Sequence, residues 1–179
     1  FAWVGADSAP TDGLAVDEIS AIVFTPVPPP TPNITALQAP LLWDIGIEGQ
    51  GSLIMNVDSG TANDHPALSQ QIWTNPGEIP NNGHDDDNNG YIDDTWGWDF
   101  QSNDNNPYDT GHGTETAGIV MGNGANNGGE RTGMAPLTTM AVGKISGESA
   151  ALEAYQYAVT IGADCITSSY SFKWPSQPD

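Results

Sequence analysis

Apolar positions fall into short runs separated by long polar loops. Leu53-Ile54-Met55-Asn56-Val57 is a compact run of the buried-strand type, and it leads directly into Asp58. Leu137 to Ile145 predicts a second, loosely apolar strand, and Asp164 to about Ser169 predicts another. Between them, Ala150 to about Ile161 carries a helical stripe of Ala151, Leu152, Tyr155, Ala158 and Val159. Ser149 is its expected N-cap and Gly162 its expected stop. Thr114 to Met121 predicts a further helix, with Ala117, Ile119, Val120 and Met121 as apolar surface. Trp96, Trp98 and Phe100 alternate with Gly97 and Asp99, the period of a strand with an aromatic face turned to the core. A short helix is expected near Leu41-Leu42-Trp43, followed by a tight turn. Strand, helix and strand in succession predict an α/β fold with a mainly parallel sheet and right-handed crossovers.

The first 25 residues have weak patterning. Thr25-Pro26-Val27-Pro28-Pro29-Pro30-Thr31-Pro32 then reads as a stiff, extended polyproline-type linker. Residues 1–32 are therefore set apart as an N-terminal extension, and 33–179 as the folded unit.

Composition narrows the picture. The chain has 179 residues, enough for one domain with a real core. Its 23 acidic residues face only Arg131, Lys144 and Lys173, giving a net charge of −20. Such a surface repels nucleic acid and anionic membranes, and it suits bound cations or a salty habitat. No apolar run is long enough to insert in a membrane. The lone Cys165, beside Ile166, is expected to be a buried, inert thiol.

Candidate chemistry begins at Asp58-Ser59-Gly60. An acid at the C-terminal end of a strand, before a Gly turn, is where open α/β sheets place functional groups. Asp-x-Gly is also ordinary turn chemistry. His112 lies between Gly111 and Gly113, where a loop turns into a helix. Alone it could equally be a loop or capping histidine. Taken together, the two stretches suggest an Asp that orients a His acting as general base, with a nucleophile still to be found.

A second candidate lies in 84–94, where five Asp fall within ten residues and no Lys or Arg occurs before Arg131. Asp85, Asp87 and Asn89 occupy positions 1, 3 and 5 of an EF-hand-type loop. Gly90 falls at the sharp turn, the Tyr91 carbonyl at position 7 and Asp93 at position 9. Trp96 stands where a bidentate Glu belongs, leaving Asp94, Asp99 or water to fill the gap. Two carboxylates about 4 Å apart repel by roughly 4 kcal/mol at an effective dielectric near 20, so close packing needs a counter-ion. Oxygen-only ligands favour Ca²⁺ over zinc. An open, solvated acidic loop is the alternative.

From Ile34 to Phe172 the chain resembles the subtilisin-like serine proteases, or subtilases, in the order of their motifs. Trp43, Gly46, Gly49, Gly51 and the strand to Asp58-Ser59-Gly60 are similar to the aspartate segment, and His65-Pro66-Ala67-Leu68 to the His-Pro-x-Leu after it. Gly111-His112-Gly113-Thr114 with Ala117-Gly118 resembles the histidine segment, and Gly133-Met134-Ala135-Pro136 the Gly-Val-Ala-Pro beyond it. Asn56, Ala67 and Glu115 depart from the usual residues, and Ala67 puts one family calcium site in doubt.

The resemblance implies a three-layer α/β/α fold, incomplete here, and peptide hydrolysis by an Asp-His-Ser triad with Asp58 and His112 in place. It implies that Ser169, Tyr170 and Ser171 pair with an extended protein or peptide substrate. Residues 1–32 then become a propeptide tail or N-terminal extension, and 80–100 an acidic calcium-loop insertion. The protein is expected outside the cell or at its surface. The nucleophile segment is absent, so the chain alone is expected to be inactive and to need the rest of the catalytic domain as a partner. The competing reading is a non-catalytic, calcium-stabilised structural or adhesive domain on the same scaffold.

Overall fold

A computed structural model describes residues 32–126 and 128–171. The expected N-terminal extension lies outside the described residues except for Pro32. In chain order the elements are α1 (Pro32–Ala36), α2 (Ala39–Trp43), β1 (Leu53–Asp58), β2 (Gly97–Asp99), α3 (His112–Met121), β3 (Thr139–Lys144), α4 (Glu148–Thr160) and β4 (Cys165–Thr167). The strands form one sheet in the order β2-β3-β1-β4, and every strand pair in it is parallel. Asp58 is in register with Lys144, so the C-terminal ends of β1 and β3 lie side by side.

Alternation along β1 sorts its side chains between two faces. Met55 and Val57 join Ala151, Ala154, Tyr157 and Ala158 of α4 in one core cluster. Ile54 packs with the other cluster, built from Leu68, Ala117, Met121 and Met140, which includes the inner face of α3. Asn56 and Asp58 share the face of Ile54. The result is helix, sheet and helix in three layers, the α/β arrangement expected from the strand–helix alternation.

Three sequence expectations need correction. The buried stripe of α4 is Ala150, Ala151, Ala154, Tyr157 and Ala158, whereas Leu152 and Val159 are 68% and 78% exposed. Small alanines let the helix lie close to the sheet around the large Tyr157 ring, and this outweighs the pull of the larger aliphatics. The N-cap of α4 is Gly147, at φ +113°, and Ser149 lies inside the first turn. Cys165 is exposed. It sits on the edge strand β4, in register with Ile54, while α3 packs over β1 further in.

β2 is shorter than its aromatic alternation suggests and is buried on both faces, with Gly97 and Asp99 as enclosed as Trp98. A Cβ at Gly97 would lie 1.9 Å from the Val142 carbonyl oxygen, so β2 meets β3 too closely for any other residue. Asp99 pairs with Lys144 at 3.2 Å and takes no part in the acidic loop.

Candidate active site and acidic loop

β1 delivers Asp58 to its C-terminal end, where the residue is 4% exposed. Asp58 Oδ1 accepts from the Ser59 backbone N–H at 2.7 Å and pairs with His112 Nδ1 at 2.8 Å. The Thr116 hydroxyl, one helical turn past His112, lies 3.4 Å from Asp58 Oδ2. The carboxylate is thus held from both sides, and it fixes the tautomer with hydrogen on Nδ1 of the imidazole. The His112 side chain remains 55% exposed. Its pKa is raised above 6.5, first by the hydrogen bond to Asp58, then by the Asp58 and Glu115 charges, against a lowering by desolvation. Chemically, this is an imidazole whose Nε2 is left available to take a proton.

Two glycines make the approach possible. Gly60 has φ +106°, a left-handed conformation that lets the chain turn back after Asp58. A Cβ on Gly113 would lie 2.1 Å from the Gly60 carbonyl oxygen, so the start of α3 rests directly on the Asp58-Ser59-Gly60 turn. Gly113 N–H donates to Ser59 Oγ at 3.0 Å, and Asn56 Nδ2 donates to Gly113 O at 3.0 Å. Sequence reasoning missed Asn56, Ser59 and Thr116. The signals were present: period two places Asn56 on the Asp58 face, and a spacing of four places Thr116 beneath His112.

The acidic loop wraps around a residue that no motif marked. Buried Glu78 accepts through Oε1 from the backbone N–H groups of Asp86 and Asp87, at 2.9 and 3.2 Å, and through Oε2 from Asp93 N–H at 3.0 Å. Among the described residues, Glu78, Asp87 and Asp94 form a group that could hold a metal ion, with donor atoms within 4.8 Å of one another. Asp94 is fully buried. It accepts from Asn75 and Asn89 amides, each at 3.0 Å, and from the Tyr157 hydroxyl at 2.5 Å. Burial pushes its pKa up; those three bonds oppose the shift and the Asp87 charge adds to it.

Of the predicted ligands, Asp87 is in this group, and Asn89 bridges Asp87 and Asp94 through its amide nitrogen. Asp85 binds the backbone N–H groups of Asn89 and Gly90. The Asp93 carboxylate is not in this group: it accepts from Asn82 and Gly83 backbone at 3.0 and 2.9 Å, while the Asp93 backbone N–H bonds Glu78. The Tyr91 ring is driven into the core, edge-on to Trp98, Phe100 and Tyr157 at centroid distances of 5.1, 5.7 and 4.9 Å. Gly90 makes the expected turn at φ +98°.

Beyond β4, Ser169 and Ser171 are exposed and Tyr170 is half-buried. The Tyr170 and Tyr155 hydroxyls bond to each other, and Tyr155 also donates to Ser168 Oγ at 3.3 Å. Desolvation, then the bond to Tyr155, pushes the Tyr170 phenol up to about 12, with the Asp58 charge adding to the rise.

Comparison with known sequences gives a consistent result. Residues 49–176 match the profile of the subtilase family, peptidase S8. Thermitase from Thermoactinomyces vulgaris is 31% identical over 140 residues, covering 74% of this chain and 42% of that protein. Halolysin from Haloferax mediterranei is 31% identical over 138 residues, covering 71% of this chain and 22% of that protein. Subtilisin-like protease 1 from Plasmodium falciparum is 44% identical over 73 residues, 40% of this chain and 11% of that protein. The chain spans less than half the length of each of these relatives.

Proposed function

The chain belongs to the subtilase family, and from that premise we propose that it supplies the Asp and His of a serine endopeptidase triad, within a longer protein that carries the nucleophilic Ser. The observation that carries this reading is the 2.8 Å bond between Asp58 Oδ1 and His112 Nδ1, with the imidazole still half-exposed. In the mechanism, Asp58 holds His112 in the Nδ1–H tautomer and stabilises the imidazolium that forms. His112 Nε2 takes the proton from the attacking Ser and returns it to the leaving amine. An extended protein or peptide substrate lies along Ser169, Tyr170 and Ser171 and pairs with their backbone as an added strand. Residues 33–179 form the first part of the catalytic domain, and residues 1–32 a propeptide tail or extension ahead of it.

The acidic loop is read as a structural Ca²⁺ site held by Glu78, Asp87 and Asp94. The donor set fits: it is all oxygen, and the described cations are engaged elsewhere, Arg131 with Glu48 and Lys144 with Asp99. Bound there, Ca²⁺ would neutralise carboxylates that otherwise repel one another across the loop. Among the described residues no helix is long and apolar enough to cross a membrane. A secreted or cell-surface location suits a Ca²⁺-dependent fold of this charge.

The test is His112→Ala in the intact protein, which is expected to abolish peptide hydrolysis. Hydrolysis by the variant at the wild-type rate would refute the triad, and no hydrolysis by the wild type itself would leave the calcium-stabilised, non-catalytic scaffold as the reading.

A further inference from the structure

Asn56 is a costly residue for its position. It lies in the middle of the central strand, 1% exposed, where Val or Leu would bury no polar group. Its Oδ1 is buried without a hydrogen-bond partner among the described residues. Both bonds it makes run through Nδ2, to Gly113 O at 3.0 Å and to Thr61 Oγ1 at 3.1 Å. A primary amide kept in the core with one end unsatisfied has to be explained by what its other end does.

That other end holds the backbone directly after His112. The Thr116 hydroxyl also reaches Gly113 O, at 3.1 Å, and on the amide side Gly113 N–H is held by Ser59 Oγ at 3.0 Å. The peptide groups flanking Gly113 are thus fastened to the same strand and turn that carry Asp58. His112 is the first residue of α3, and its side chain is 55% exposed, so packing of the ring itself cannot fix where it sits. Its placement against Asp58 depends on these backbone anchors. Asn56 supplies the anchor from the sheet, two residues before Asp58 and on the same face.

We propose that Asn56 is a positioning residue for the Asp58–His112 pair, acting through the Gly113 carbonyl. The proposal rests on the triad reading above. Asn56 touches neither substrate nor reacting atoms. It sets the height of the α3 terminus above β1, and with it the length and direction of the bond from His112 Nδ1 to Asp58.

The experiment is Asn56→Val in the intact protein, beside His112→Ala as a control for the triad. Val keeps the apolar bulk and removes both the donated bonds and the unpaired oxygen, so the fold should tolerate it. Expected for Asn56→Val are a fall in kcat of about ten- to a hundredfold and a KM within about twofold of wild type. The acid limb of kcat/KM should move down towards pH 6.5, as the bond that raises the His112 pKa weakens. The downfield proton resonance of His112 Nδ1–H should shift or broaden. Unchanged kcat and an unchanged His112 resonance, with His112→Ala inactive, would overturn the role of Asn56 and leave the triad intact. A loss of thermal stability with kcat and KM altered together and the pH profile unmoved would likewise reduce Asn56 to a core residue. Activity surviving in His112→Ala would instead fail the triad reading itself.

Discussion

The Tyr157 hydroxyl donates to Asp94 Oδ2 at 2.5 Å, joining the inner face of α4 to the buried floor of the acidic loop. Tyr157 is 1% exposed and packs edge-on against Tyr91 and Phe100. Burial, reinforced by the charge of Asp94, keeps its phenol protonated far above the ordinary tyrosine range. The loop is therefore anchored twice, by the Tyr91 ring and by this bond. α4 leads through Gly162 into β4 and the Ser169–Ser171 stretch, so the anchor also bears on the proposed substrate wall.

Tyr157→Phe removes that donor and little else. Asp94 keeps its Asn75 and Asn89 bonds. A hydrogen bond to a charged group contributes about 1.5–3 kcal/mol. In a domain of about 150–250 residues this corresponds to a melting point lowered by roughly 3–12 °C. Differential scanning calorimetry of the intact protein measures it, and an unchanged melting point would mean the bond carries no stability.

Calcium removal should destabilise the fold in the same region. A ligand at about a hundred times its Kd adds about 2.7 kcal/mol, or roughly 5–11 °C in melting point. EGTA should lower the melting point by that order in the wild type, and Asp94→Asn should largely abolish the difference. Equal melting points of the wild type with and without EGTA would dismiss the ion and leave a solvated acidic loop.

The legible part of the sequence was local. Asp58 and His112 stood out because each sits in a short motif with small residues; in the structure Gly60 turns at φ +106° and Gly113 has no room for a Cβ. β1, β3, α3 and the parallel sheet followed from period and order. The acidic loop was legible as a cluster, but not which of its carboxylates converge. Glu78 lies upstream of the Asp run with no motif around it, and Asp93 turns its carboxylate to the Asn82–Gly83 backbone. Side-chain direction in an irregular loop depends on backbone bends such as Asn88 and Asp93 at positive φ, which spacing does not encode. α4 misled for a different reason. The sequence marks its large aliphatics, while close approach to the sheet selects its alanines.

The pH dependence follows from the raised His112 pKa. A general base must be neutral, so kcat/KM should climb as pH rises through a midpoint above 6.5. Glu115 adds to the rise, so Glu115→Gln should move that midpoint down slightly without changing KM. The shift acts on stability with the opposite sign. Its contribution is present below the unfolded histidine value near 6.5 and fades as pH rises through the folded one. A pH–rate profile centred below 6.5 would contradict the Asp58–His112 bond in solution.

Gly113→Ala tests the seating of α3. The added Cβ would sit 2.1 Å from Gly60 O and 3.1 Å from Asp58 Cβ, and backbone must move to admit it. A displacement of about 1 Å at the histidine costs on the order of a hundredfold in rate. The kcat of the variant should fall by that order, and a rate equal to wild type would show that α3 tolerates a looser fit.

The most direct measurement is labelling of the native protein with a fluorophosphonate, which reacts only with an activated serine. The account predicts a labelled species that contains or co-purifies with this chain. Labelling should be lost in His112→Ala, and in Asp58→Asn it should slow by on the order of 10⁴. No label on the native protein, or equal labelling of His112→Ala, would contradict a triad completed around Asp58 and His112.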